Sequence, residues 1–593
     1  MKKVICNPMN LSYKYQFLEL RAPAQNPDGS VNFVTMKKSL VREAADPSIV
    51  LFKGRYYLFP SMSKGFWVTD SLTQDWQFVK LQNTPSYDYA PDVSVVGDYL
   101  YFSASRKGEP CKFYRTKDPM SGIFEEYATA FEFWDPALFC DEDGRMYFFW
   151  GCTNTEPLYG VELNPEDMSK KGEVFSLIAG NNEAHGFERI GDDHVLEDLP
   201  PDASDYEKYM RMYIGTAPFI EGAWMTKKSG KYYLQYAAPG TEYNVYADGV
   251  YESDHPLKGY KYAANNPYSY KPGGFINAAG HGSTFEDKHG NLWHTSSMRI
   301  SVGHQFERRL GLFPAGIDED GVLFCNQRYG DWPLVVEDGK MDPWAEPEMF
   351  LLSFKKDVTA SSHADGHQPN LATDENIRTW WSADKTDKTP WIQVDLGDVF
   401  DVKAIQINFA DNNLQFDSIP QDVDATGDQY QIRYIEDKEH KTRWLLEGSV
   451  DGKTYFTLCD KRNVSTDLPH DLVLTDSKLR YVKLTVNELP YNQQASVSGL
   501  RVFGKGTGHR PGHAICLSAK RTGDLDAEVS WKGDAVGYNV LWGFAPDKLY
   551  HSYMVFDKSS LNIRALNKGQ RTWVRIDSFN ENGIKHGRVI EIK

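Results

Sequence analysis

Over residues 46–295 the chain repeats one pattern five times: an apolar strand, a glycine-centred turn and an aromatic-rich strand. The copies are DPSIVLFKGRYYLF from Asp46, APDVSVVGDYLYF from Ala90, DPALFCDEDGRMYFF from Asp135, EGAWMTKKSGKYYLQY from Glu221 and HGSTFEDKHGNLWHT from His281. Their turn glycines are Gly54, Gly97, Gly144, Gly230 and Gly290. Glycine supplies the positive φ that tight hairpin turns require. Behind each of the first four copies comes a second half of strand, polar turn and strand: GFWVTDSLTQDWQFV, CKFYRTKDPMSGIFEEY, LYGVELNPEDMSKKGEVF and ADGVYESDHPLKGYKY. Four antiparallel strands recurring at roughly 40–50 residues are the signature of a propeller blade. The repeat predicts an all-β chain that opens with a five-bladed β-propeller. The longer spacings before Glu221 and His281 predict loops inserted between strands.

A propeller turns the first strand of each blade toward the central axis. The aligned first residues are Asp46, Ala90, Asp135, Glu221 and His281. Asp92 lies two residues beyond Ala90, on the same strand face by the period of two. One Asp-Pro pair reads as a turn. Three acids in register at one axis point to use, because gathered anions repel. Asp46, Asp135 and Glu221 are therefore the candidate catalytic residues, with Asp92 and His281 beside them.

Length and charge limit the alternatives. A chain of 593 residues exceeds one core and predicts roughly two to four domains. The net charge of −17, with no long basic run, argues against a nucleic-acid partner. No apolar run approaches membrane-spanning length, so no membrane insertion is expected. The start MKKVICNPMNLSYKYQF lacks an apolar signal core. The expectation is a secreted or periplasmic protein whose signal peptide is absent from this sequence, or otherwise a cytoplasmic one. The cysteines (Cys6, Cys111, Cys140, Cys152, Cys325, Cys459 and Cys516) are odd in number and scattered. They read as small core residues, neither a zinc site nor a disulfide framework.

The motifs ADPSIV, YAPDV, WDPALF, IEGAWM and GHGSTF, in that order, resemble family 43 glycoside hydrolases over residues 1–345. The resemblance implies a five-bladed propeller with Asp46 as general base, Glu221 as general acid and Asp135 orienting and tuning that acid. It also implies an axial histidine at His281 and an arginine at Arg299. Inverting hydrolysis fits the carboxylates: one protonated group serves the leaving oxygen, one ionised group activates water, roughly 6.5–9.5 Å apart. An ionised Asp135 would raise the affinity of Glu221 for its proton, and a donor such as Arg299 would keep Asp46 ionised. His185 and Glu188, in NNEAHGFERIGDDH, are further candidates for the mouth on an inserted loop. Phe66, Trp67 and Trp150 read more readily as core than as sugar platforms, and Tyr243 and Tyr246 fit either use.

Residues 346–506 resemble a factor 5/8 C-type, discoidin-like β-sandwich, on the stretches TWWSADKTDKTPWIQVDLGDVFDVKAIQINF, LEGSVDGKTYFTL and SVSGLRVFG. Such modules often bind carbohydrate and many hold a structural calcium; no cofactor is expected for catalysis. Trp381 and Trp391 read as core, and the polar stretch from Asp411 to Trp444 as an insertion. Residues 507–593 resemble a fibronectin type III domain, an Ig-like sandwich, on AEVSWKGDAVGYNVLWG and RTWVRIDSFNENGI. The expected activity is exo-acting, inverting removal of terminal α-L-arabinofuranosyl or β-D-xylosyl units from plant polysaccharides or oligosaccharides. Three alternatives stand beside it. A β-D-galactofuranosidase or galactosidase would share the fold. A retaining fructosidase would show NDPNG and EC motifs, which this chain lacks. A non-catalytic glycan-binding protein would have no need of all three acids.

Overall fold

A computed structural model describes residues 3–73, 75–106, 108–129, 131–420, 425–427 and 429–593. Three four-stranded antiparallel sheets follow the first three repeats, with strands in chain order. Their first strands are Ala45–Phe52, Asp92–Val96 and Ala137–Cys140. The fourth and fifth sets start at Glu221–Lys228 and Asn277–Glu286. They merge into one larger sheet through a single parallel pair, Ala247 with Ala279. The five first strands touch in a closed cycle, the fifth against the first. The hairpin turns form as the repeat predicts: Lys53 and Gly54 take φ of 48° and 82°, the left-handed pair of a two-residue turn. Aromatic residues fill the space between sheets, as where Phe59 meets Phe102 of the next sheet with centroids 5.5 Å apart.

Side chains on the first strands stitch neighbouring sheets together. Ser48 Oγ accepts from the Val93 amide at 2.9 Å, Asp92 Oδ2 from the Leu138 amide at 2.9 Å, and Ser283 Oγ from the Ile49 amide at 3.2 Å. Each of these residues lies two places beyond its repeat's first position. Asp92 thus belongs to the seam between sheets.

Two further layers follow the ring. Long strands Trp391–Phe409 and His470–Glu488 form the centre of a sheet built around buried Trp381 and Trp444. Trp381 is core, as expected; Trp391 is half-buried beneath the Lys483 ammonium, 4.9 Å from its ring centroid. The last segment forms a three-stranded sheet, Ile515–Arg521, Ala527–Lys532 and Ser560–Ile563, and a second sheet centred on Gly537–Gly543 and Trp573–Asn580. Its core runs on into that of the fourth repeat: Trp542 and Leu566 share one cluster with Phe187 and Tyr270. The segment is therefore packed onto the ring along an apolar face.

Buried charge joins the layers as well. The Arg501 guanidinium holds Glu375 through two bonds of 2.9 and 2.7 Å, and Asp331 beside it pairs with Lys271 at 2.8 Å. Breaking one partner of such a buried pair costs about 3–5 kcal/mol. Before the ring, the chain forms a long hairpin of Lys14–Gln25 and Val31–Glu43. Strand Gln431–Ile435, from the polar stretch expected to be an insertion, pairs with this hairpin. Arg42 fixes the start of that stretch through two 2.8 Å bonds to Asp411.

Candidate active site

At the first position of each repeat the backbone turns left-handed. Asp46, Ala90, Asp135 and His281 take φ of 47°, 49°, 50° and 49°. A left-handed conformation costs a non-glycine residue roughly 1–2 kcal/mol, so four such residues around one axis imply a strong local constraint. In the fourth repeat the left-handed residue is Gly222, at φ 62°. A Cβ there would lie 2.8 Å from the His281 ring, so only glycine fits. Glu221 therefore stands one residue before the position it shares with Asp46 in a plain alignment.

The second strands serve these turns. Ser297 Oγ accepts from the Asp46 amide at 2.8 Å, Ser61 Oγ from Ala90 at 2.7 Å and Ser105 Oγ from Asp135 at 3.0 Å. Each serine follows its repeat's turn glycine by seven or eight residues, and each caps the next repeat. In the third repeat that place holds Cys152, whose thiol donates to Glu221 Oε2 at 3.0 Å. Cys152, expected as a core residue, is thus part of the acid cluster. Read against the sister serines, its spacing from Gly144 was the available signal.

Asp46, Asp135, Glu221 and His281 all line one cavity of about 220 Å³. Asp46 is buried. Its carboxylate accepts from Arg308 at 2.7 Å and Ser61 at 2.8 Å, and His281 Nδ1 lies 3.5 Å away. Burial pushes its pKa up, but Arg308, His281 and the two serines outweigh burial and hold it below the usual carboxylate range. Asp135 has the opposite balance. Burial, then the charges of Glu221 and Asp46, push it up to about 8 against the pull of His281, 3.8 Å off. Glu221 takes a further hydrogen bond from the Tyr246 hydroxyl, which settles the use of that tyrosine. Burial lowers the proton affinity of His281, yet the surrounding carboxylates raise it overall. Its backbone amide is fixed by Asp248 Oδ1 at 2.7 Å.

Asp135, Cys152 and Glu221 each bring a ligand-type atom within 4.8 Å of the others. Burial first, then both carboxylates, hold the Cys152 thiol well above its ordinary value. The thiol donates to Glu221 Oε2, so a hydrogen bond ties Cys152 into the acid cluster.

Three expected residues sit elsewhere. Arg299 pairs with Asp192 of the inserted loop at 2.7 Å, and the guanidinium on Asp46 belongs to Arg308, its partner across the hairpin. Asp92 stays in the sheet seam, where burial raises its pKa to about 7. His185 stacks on Tyr262 at 3.6 Å and bonds Glu188 at 2.8 Å, beneath the last segment, where its backbone bridges Asn567. Phe66 and Trp67 are core, as expected; Trp150 is half-buried, stacked between Phe148 and Tyr159.

Other residues complete the cavity. Trp134 precedes Asp135, and Glu242, raised to about 7 by burial and then by Glu221, lies on the wall. Helix Asp205–Ile214, in the inserted loop, supplies Tyr209, Met210, Tyr213 and Ile214. Ser204 and Glu207 form a capping box that fixes where this helix starts.

Residues 39–323 match the model of glycosyl hydrolases family 43, and residues 357–501 that of the F5/8 type C domain. A curated relative, xylosidase/arabinosidase 43A of Humicola insolens, is 26% identical over 218 residues, which are 34% of this chain and 59% of that protein. The chain thus spans about 59% of the length of the curated relative it matches. Among solved structures, one described as a glycoside hydrolase is 16% identical, with a TM-score of 0.43 over 77% of this chain and 97% of that one. The BlXynB protein of Bacillus licheniformis is 14% identical, with a TM-score of 0.40 over 99% and 91%. An α-L-arabinofuranosidase of Clostridium thermocellum is 19% identical, with a TM-score of 0.33 over 47% and 93%.

Proposed function

We propose that the family 43 domain is an inverting, exo-acting glycoside hydrolase that releases terminal α-L-arabinofuranosyl or β-D-xylosyl units. In this reading residues 1–345 form one catalytic domain, whose closed ring is a five-bladed β-propeller. Residues 346–506 are the discoidin-like sandwich and 507–593 a fibronectin type III-like sandwich of two small sheets. One observation carries the chemistry: a single cavity holds Asp46, bonded to the Arg308 guanidinium, together with Glu221 and Asp135, and the burial of Asp135 and the nearby charge of Glu221 raise its proton affinity. Neighbouring carboxyls whose environments push their proton affinities apart divide into base and acid.

Asp46 takes a proton from water, whose oxygen attacks the anomeric carbon. Glu221 gives its proton to the leaving oxygen as the glycosidic bond breaks. Asp135 lies beside Glu221, and burial and the charge of Glu221 raise its own proton affinity. Cys152 and Tyr246 fix the two oxygens of Glu221. The modest cavity and the helix that lines it favour a chain end over a chain interior. The name of the curated relative supports the choice of pentosyl substrates.

The test is hydrolysis of 4-nitrophenyl α-L-arabinofuranoside and β-D-xyloside, with the β-D-galactofuranoside as comparator. Turnover of a pentoside is expected, and Asp46→Asn and Glu221→Gln should each lower kcat by on the order of 10²–10⁴. Wild-type rates in either variant would remove these assignments.

A further inference from the structure

The cavity has one wall that comes from neither the ring nor its loops. Leu20 and Arg21 of the N-terminal hairpin line it, as do Tyr430 and Gln431 of the segment that follows Asp411. That segment lies within the F5/8 type C match, far along the chain from the acids. Strand Gln431–Ile435 pairs residue by residue with the hairpin, Leu20 opposite Gln431, and the Arg21 amide donates to the Tyr430 carbonyl at 2.7 Å.

The wall is fixed in place by its inner face. Gln431, Arg433 and Ile435 share one side of the strand. Gln431 donates to the Tyr89 hydroxyl at 3.2 Å, and the buried Arg433 guanidinium lies 4.5 Å from the Tyr89 ring. Arg433 also donates to the Asp88 carbonyl at 2.7 Å. Tyr89 itself lines the cavity, and Arg308, the partner of Asp46, lies 5.9 Å from its ring. Tyr430 meets Phe33 in a T-shaped contact with centroids 5.1 Å apart, and 37% of its surface is exposed. Tyr430 is thus a partly exposed aromatic residue on the wall of the cavity.

We infer that this composite wall is a binding site for the leaving-group sugar, and that the F5/8 type C region thereby sets which glycan chains are cut. The inference rests on the hydrolase reading above. Its ligand is a neutral oligosaccharide: the wall and the facing Phe306 present apolar and aromatic surface, which suits the C–H face of a sugar ring. Arg21 already faces Glu19, to which it donates at 3.2 Å, so the wall adds little net charge for an acidic sugar.

The experiment uses the full chain. Hydrolysis of xylotriose and arabinotriose is compared with that of the corresponding methyl pentosides, whose leaving group is too small to reach the wall. Tyr430→Ala should lower kcat/KM for the trisaccharide at least ten-fold more than for the methyl glycoside, chiefly through KM. Tyr430→Phe, which keeps the ring, should restore the ratio. Equal losses on both substrates, or none on either, would overturn the inference. Titration calorimetry with xylotriose and arabinotriose on Glu221→Gln separates this idea from the catalytic one. Weaker trisaccharide binding on adding Tyr430→Ala supports the wall even where the assigned catalytic roles fail. Unaltered binding, or no binding of either trisaccharide, rejects the wall even where pentoside hydrolysis stands.

Discussion

Asp46 and Asp135 occupy the same position of two repeats. Both are buried at the end of one cavity, and each has its amide capped by a serine from the preceding repeat. Their φ angles differ by only a few degrees. Yet the surroundings hold one below the ordinary carboxylate range and push the other up to about 8. What differs is the company each keeps. Asp46 has Arg308 at 2.7 Å and a serine hydroxyl on its other oxygen. Asp135 has Glu221 and Cys152, and no guanidinium lies among its main influences. The repeat delivers two equal acids to the axis, and the residues outside the repeat's pattern lower the proton affinity of one and raise that of the other.

The comparison breaks most severely if Arg308 is removed. Arg308→Met should bring Asp46 toward the condition of Asp135 and lower kcat/KM at neutral pH by about 10² or more. The acid limb of the pH–rate profile should move to higher pH, because the base then needs a higher pH to ionise. A melting curve checks that loss of the Glu43 and Asp46 bonds has not unfolded the site.

Asp135→Asn tests the other half. The wild-type profile should fall on the alkaline side near about 8, where Asp135 loses its proton. The variant should lower kcat, by an amount smaller than Glu221→Gln, and displace that limb. Stability supplies a second reading. The folded pKa of Asp135 lies above its ordinary 3.8, so its contribution is full below about pH 4 and is lost as pH rises through about 8. The melting temperature of Asp135→Asn should therefore gain on that of the unsubstituted protein as pH rises from 4 to 8. A difference that does not vary with pH would contradict the account.

Cys152 gives the smallest expected effect. Cys152→Ser restores the residue that the sister repeats carry and keeps a donor to Glu221, so kcat should change less than about three-fold. Cys152→Ala removes the donor, and a loss of roughly three- to ten-fold is expected, at about 1 kcal/mol for one hydrogen bond. Equal losses in the two variants would mean that the bond to Glu221 plays no part.

The repeat made much of the ring legible. Strand, glycine turn and aromatic strand are local signals, and Asp46, Asp135, Glu221 and His281 could be brought to one cavity by aligning short stretches. The offset at Glu221 was legible too, had glycine tolerance of a left-handed backbone been weighed at Gly222. The choice between Arg299 and Arg308 was not. They face each other across one hairpin, and Asp192, 107 residues earlier, draws Arg299 away. Asp92 was misplaced because period two fixes the face of a strand and not what that face meets. The composite wall was beyond reach: Arg42 and Asp411 lie 369 residues apart, and no periodicity relates a hairpin before the ring to a strand inside a later sandwich.

The central claim is that Asp46 activates water on the side of the sugar opposite Glu221. Proton NMR of the first sugar released from 4-nitrophenyl β-D-xyloside or α-L-arabinofuranoside tests it most directly. The account predicts the inverted anomer before mutarotation, α-xylose or β-arabinose. Release of the anomer with retained configuration would contradict it and make one of the carboxylates a nucleophile.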